Sequence, residues 1–251
     1  MSAGSGERRR AQARAQSLSL VLTCEHASAA VPGRYRTALA GAKHLLHTHR
    51  ASDPGALELA RRLARATGAP LLVGTATRLL IDLNRSEDRA ELWSPWSAAL
   101  PAAERRRLIE QRHRPFRDAT RAAIDGRLAG QPGCAVLHVS VHSFTPLRRG
   151  QRRSMHVALL FDPARPLEAR LARRWRRALQ RREPRLEIAF NRPYRGTDDG
   201  HTTALRHRYP PTRYAGLELE INQLFPRRGG PRWQRLQAHL QTSLQELLGN
   251  S

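Results

Sequence analysis

Two histidines in this sequence stand where a polar ring is costly, each closing a short apolar run. One run is Leu18-Ser-Leu-Val-Leu-Thr-Cys-Glu25-His26, and the other is Cys134-Ala-Val-Leu-His-Val-Ser-Val-His142-Ser-Phe. Both read as buried strands, and the carboxyl ends of buried strands are where open α/β sheets place ligands and chemistry. Imidazole suits zinc, and a catalytic zinc takes three protein ligands while keeping a position for water. A carboxylate is the usual third ligand, and Glu25 and Asp53 are the available ones. Two strand-end imidazoles beside acids therefore point to a metal site or a general-base site.

A third segment, Gly216-Leu-Glu218-Leu-Glu220-Ile-Asn222-Gln223, alternates as a strand does, so Glu218 and Glu220 share a face. Two carboxylates on a buried face are expensive unless paired or functional. Glu220 is the candidate general base, acting on water held by the metal. Asn84 and Arg85 end an apolar run, Arg78 to Leu83, that reads as another strand. A guanidinium offers a planar fork for a carboxylate and the amide adds a donor, so the pair is a candidate clamp for an acidic substrate.

The elements needed to position these groups follow from the pattern. Strands are expected near 18–24, 69–75, 78–83, 135–141, 155–161, 186–190 and 216–223. Helices are expected over 56–67, 102–128 with a break near Pro115, 166–182 and 233–248. Asp53 followed by Pro54 reads as the N-cap of the helix that Gly68 stops. Residues 1–16 read as a disordered leader and 17–251 as one domain. Strands alternating with helices imply a three-layer α/β fold, helices on both faces of a mixed, mostly parallel sheet.

The formal net charge of +23 suggests a polyanion binder. Yet Lys43 is the only lysine, and the arginines are spread along helix faces rather than gathered with aromatics for stacking. No helix-turn-helix, zinc-finger or RNP signature is present. The expectation is weak, salt-sensitive adhesion with no specific nucleic-acid partner. Two cysteines, Cys24 and Cys134, make no disulfide framework and suit a reducing, cytoplasmic setting. No apolar run approaches a membrane span, and no signal peptide is read.

Taken together, Leu22-Thr-Cys-Glu-His26-Ala, Asp53-Pro-Gly, Arg78-Leu-Leu-Ile-Asp82-Leu-Asn84-Arg85, His113-Arg-Pro-Phe-Arg117, Ser140-Val-His142-Ser-Phe and Leu219-Glu220-Ile-Asn-Gln223 resemble the N-formylglutamate amidohydrolase family, in order from about 18 to about 225. The resemblance implies a hydrolase-like fold akin to the zinc carboxypeptidases and a single Zn2+ ion. It implies that His26, Asp53 and His142 are metal ligands, with Glu25 competing for the third place. Glu220 would be the base, and Asn84 with Arg85 the clamp for a small carboxylate-bearing substrate. Arg206 and His201, in the polar loop before the glutamate strand, would add substrate contacts. The sequence departs from stricter members in showing Cys-Glu-His where they show Pro-His-Ser-Gly. It leaves open another N-acyl amino acid, a small peptide cleaved as carboxypeptidases do, or polyanion binding on a hydrolase scaffold. It does not specify the oligomeric state.

Overall fold

Six strands form one sheet: β1 (Leu18–Cys24), β2 (Leu71–Val73), β3 (Ala135–Phe144), β6 (Val157–Leu160), β7 (Ile188–Phe190) and β8 (Tyr214–Asn222). A small separate hairpin supplies β4 (Leu147–Arg148) and β5 (Gln151–Arg152). The computed structural model describes residues 17–130, 133–148 and 150–249; the expected leader, residues 1–16, lies outside them. The strand order is β2-β1-β3-β8-β6-β7. β2, β1, β3 and β8 run parallel, and β6 meets β8 antiparallel and carries β7 parallel to itself. The sheet is therefore mixed and mostly parallel, with β3 and β8 at its centre.

Helices cover both faces. On one lie α1 (Ala56–Thr67), α4 (Pro166–Arg182) and α6 (Gly230–Leu248), which bury Leu59, Leu63, Trp175, Leu240 and Leu244 against Leu22, Leu137, Val139, Leu217 and Leu219. Each fully buried side chain of this size contributes about 1.5–3 kcal/mol. On the other face lie α3 (Arg114–Gly130), preceded by α2 (Ala102–Leu108), and α5 (His201–Arg208). There Ile124, Leu205 and Tyr209 pack on Val21, Val136 and Tyr214. Strand alternation puts Thr23, His138, Ser140, His142, Glu218 and Glu220 on this second face. The face thus begins apolar and turns polar toward the carboxyl ends of three parallel neighbours. Register aligns Thr23 with Ser140, Ser140 with Glu218, and His142 with Glu220.

Four expectations need correction. Residues 78–83 form no strand. Leu79, Leu80, Ile81 and Leu83 are buried in a second apolar cluster with Leu39, Leu92, Leu108 and Phe116, and a turn closes through Leu80 N donating to Thr77 O. The apolar run reflects burial without a sheet neighbour. Asp53 does not cap α1; Gly55, at φ 79°, takes that place without a side-chain cap, and the Asp53 carboxylate turns away to other donors. His201 and Arg206 belong to α5 rather than to a loop. The expected break near Pro115 is a widened π turn, Ile109–His113, which carries helix continuously from α2 into α3. An extra residue in that turn accommodates the proline ring and its missing N–H.

Candidate active site

His26 follows β1 in a turn, His142 lies near the end of β3, and Asp53 sits in the loop before α1, yet all three are buried together. His26 Nδ1 is 3.2 Å from His142 Nδ1, which is 3.1 Å from Asp53 Oδ2, and the third edge of the triangle is 3.6 Å. The remaining contacts decide where the protons are. His26 Nε2 is 2.6 Å from Asp82 Oδ1, and a carboxylate only accepts, so Nε2 carries the proton and Nδ1 is bare. Ser140 Oγ donates its single proton to Glu25 Oε2 at 2.7 Å. It can only accept from His142 Nε2, 2.8 Å away, which leaves His142 Nδ1 bare in the neutral ring as well.

Two lone pairs and an anionic oxygen therefore face one another, an arrangement that requires positive charge between them. Without a metal, that charge is a second proton on His142. Burial opposes it, but the hydrogen bond to Asp53 and the charges of Glu25, Asp53 and Glu220 outweigh burial and drive the ring up to about 10. Asp53 is likewise held well below the usual carboxylate range: burial acts upward and is overcome by Arg78, His26 and His142. The triangle fits a divalent ion. Ligands about 2.0–2.1 Å from a tetrahedral zinc stand roughly 3.3 Å apart. Carboxylate and hydroxyl partners on the far nitrogens are what orient metal-binding imidazoles.

Around this triangle lies a cavity of about 160 Å³ lined by His26, Asp53, His142, Arg78, Asn84, Arg85, Ser143, Tyr194, Arg195, Asp198, Asp199, Glu218 and Glu220. Glu220 is 5% exposed, and its Oε2 finds no hydrogen-bond partner among the described residues. Burial, aided by Asp53 and Glu218 against the pull of His142 and Arg78, raises its carboxyl to about 8. Glu218, by contrast, accepts from Thr202 Oγ1 at 2.8 Å and pairs with no arginine among the described residues.

Asn84 and Arg85 reach the cavity from the irregular segment after the second cluster. Asn84 Oδ1 accepts from His201 N at 2.7 Å, and an Arg85 Nη1 proton goes to Asp199 O. The segment is pinned from behind by the motif at the π turn. His113 Nε2 donates to Arg85 O at 2.8 Å, and Arg117 Nη2 donates to the same oxygen at 2.8 Å.

The structure keeps Arg206 and His201 out of the cavity. The Arg206 guanidinium is consumed by Glu168, Gly196 O, Thr203 Oγ1 and Gly216 O, so it ties α5 to β8 and α4. The His201 ring turns to Glu25, 2.9 Å from Oε1. Glu25 in turn lies beside the triangle and not in it: its Oε2 is 3.5 Å from His142 Nε2, the nitrogen facing away from Asp53. Glu25, His138 and His201 form a second buried group of potential ligands. That group is held by a chain of hydrogen bonds, with His201 Nε2 left without a partner among the described residues. Thr23 donates to Glu25, His138 Nε2 to Thr23 Oγ1, and Tyr214 OH to His138 Nδ1, each at 2.8 Å.

Sequence reasoning missed several cavity or support residues. Arg78, whose Nη2 pairs with Asp53 Oδ1 and whose Nε is unpartnered, and Asp82 both lie in the Arg78–Arg85 segment already singled out. Their proximity to Asn84-Arg85 was the available signal. Tyr194 and Arg195 arrive from a loop with no periodicity to mark it.

A mixed α/β sheet with buried imidazole, carboxylate and guanidinium groups meeting around a cavity beyond its parallel strand ends defines a hydrolase-type scaffold. The family model for N-formylglutamate amidohydrolase matches residues 18–225, and the chain belongs to that family of hydrolases. The gene product Atu2144 of Agrobacterium tumefaciens is 30% identical, with a TM-score of 0.75 over 92% of this chain and 88% of that one. The N-formylglutamate amidohydrolase of Ralstonia eutropha JMP134 is 21% identical and shares the fold, with a TM-score of 0.70 over 94% of each chain. No curated protein matches significantly.

Proposed function

We propose that this chain is a zinc-dependent amidohydrolase that releases the acyl group from an N-acyl amino acid bearing a free carboxylate. N-formyl-L-glutamate, giving formate and glutamate, is the substrate we assign. The observation that carries the reading is the meeting of two bare imidazole nitrogens and one carboxylate oxygen around a point that needs positive charge. His26, Asp53 and His142 would hold the ion. When bound, zinc polarises an acyl carbonyl and lowers the pKa of water.

The chain's own residues do the rest. Glu220, with an unpartnered oxygen and a carboxyl raised to about 8, is suited to take a proton from attacking water and hand it to the leaving amine. Arg85 and Arg195 line the cavity as cations for the substrate's two carboxylates, and the Asn84 amide nitrogen adds a donor. A space of about 160 Å³ suits a single acylated amino acid better than a peptide chain, which favours deacylation over a carboxypeptidase role.

The test is formate release from N-formyl-L-glutamate by chelator-stripped and zinc-restored protein. Stripping is expected to abolish turnover and zinc to restore it. His142→Ala should lose both ion retention and turnover. Arg85→Ala should raise KM about 10- to 100-fold, the worth of a charged hydrogen bond, with less effect on kcat. Full activity from metal-free protein would overturn the proposal.

A further inference from the structure

Glu25 has an unusual place for an acid that the reaction does not need. It is 1% exposed, it hydrogen-bonds no guanidinium among the described residues, and it lies outside the triangle of candidate ligands. A buried carboxylate is tolerated only when hydrogen bonds replace its water. Three donors do so here: Thr23 Oγ1 at 2.8 Å and His201 Nδ1 at 2.9 Å on Oε1, and Ser140 Oγ at 2.7 Å on Oε2. Two of these lead to opposite halves of the site. Ser140 receives His142 Nε2, whereas His201, through its backbone N–H, holds the Asn84 side-chain oxygen.

From this connectivity we infer that Glu25 is a positioning residue: by forcing the Ser140 hydroxyl proton toward itself it fixes the tautomer of His142, and through His201 it ties that imidazole to the Asn84 clamp. The inference rests on the zinc hydrolase reading and adds a residue to it. Its physics is donor counting. With a carboxylate at position 25, Ser140 can only accept from His142 Nε2, so Nε2 keeps its proton and Nδ1 is the nitrogen that gives one up when an ion binds. A glutamine there can turn its amide N–H to Ser140. The hydroxyl is then free to donate to His142 Nε2, which places the ring proton on Nδ1, where the ion must bind. Ion binding must then move the one proton of a neutral ring to Nε2, whereas the wild type gives up only the second proton of an imidazolium.

The experiment measures zinc affinity by chelator competition on stripped wild type, Glu25→Gln, Ser140→Ala and Thr23→Val. Glu25→Gln and Ser140→Ala are expected to weaken zinc about 10- to 100-fold, the usual effect of losing a partner that orients a metal-binding imidazole. Thr23→Val removes an equally buried bond to the same carboxylate but leaves the Ser140 branch intact. It should lower thermal stability while holding affinity within about threefold of wild type, well below that same range. Histidine nitrogen NMR of the zinc-loaded wild type should show His142 protonated at Nε2. If Glu25→Gln does not fold, Ser140→Ala and the NMR readout carry the test. Wild-type affinity in Ser140→Ala and Glu25→Gln, equal losses in Thr23→Val, or an Nδ1 proton on His142 would overturn the inference and leave the hydrolase reading standing. A wild-type chain that takes up no divalent ion would overturn both.

Discussion

At the scale of single residues, the site is a problem in placing protons and charges. Glu220 shows it in isolation. Its folded pKa of about 8 lies above the 4.5 of an unperturbed glutamate, because burial disfavours the charged form. Between those values the folded chain binds a proton that the unfolded chain has released, so the group's contribution to stability falls as pH rises through that window. Glu220→Gln removes the titration. In metal-stripped protein the variant should gain stability relative to wild type between pH 5 and pH 8.5, a difference that urea melts at the two ends would read. In zinc-loaded protein the same change should lower kcat by about 100-fold or more, the usual worth of a general acid–base group, with little change in zinc affinity. Constant relative stability across that range would refute the burial argument. His142 and Glu220 stood out as polar residues on buried strands, and His26 as one directly after a buried strand. Asp53 carried a competing local meaning, since Asp-Pro reads as a helix cap. Only the distant Arg78, His142 and Ser143 N–H, brought in by the fold, draw its carboxylate to the cavity instead.

At the scale of elements, β1, β3 and β8 were readable because alternation and β-branched runs coincide with burial. The 78–83 segment misled because its apolar side chains fill a second cluster off the sheet; hydrophobicity reports burial and not hydrogen-bond partners. The loop from Asn191 to Gly200 had no pattern to read, yet it brings Tyr194, Arg195, Asp198 and Asp199 to the cavity. It can do so because Gly196 lies directly on the Phe161 backbone, where a Cβ would collide with the peptide nitrogen and oxygen. Gly196→Ala must therefore lift the loop. The His26–Asp53–His142 triangle comes from the turn after β1, from β3 and from the loop before α1, and does not depend on it. The variant should lose about tenfold or more in kcat/KM on N-formyl-L-glutamate, the scale of a misplaced substrate contact, while keeping wild-type zinc affinity. Equal losses in both would show that loop and triangle are not separable.

At the scale of the whole molecule, the +23 charge must be assigned either to function or to surface. The arginines of α4 at 170, 173, 174 and 177 are exposed on one layer, and Arg106 and Arg107 of α2 on the opposite side of the sheet. Positive charge thus surrounds the fold and forms no single track. Arg181 and Arg182 are drawn to Glu246, and Arg176 lies over the Phe190 ring, 5.0 Å from its centroid. Among the described residues, Tyr194 is the one large aromatic side chain exposed, and it lines the cavity, so no row of rings awaits stacked bases. Binding built only from scattered guanidinium–phosphate contacts is sequence-blind and falls by orders of magnitude between about 50 and 200 mM salt. Filter binding with heparin, duplex DNA and single strands should show such adhesion at low salt and its loss near physiological salt, with no preference among sequences. The zinc-restored turnover of a small substrate should fall far less with salt, because Arg78 and Arg85 at the cavity are part-buried and are screened less than the surface. Tight, sequence-selective retention near physiological salt would instead make nucleic acid a partner that this surface was built to hold.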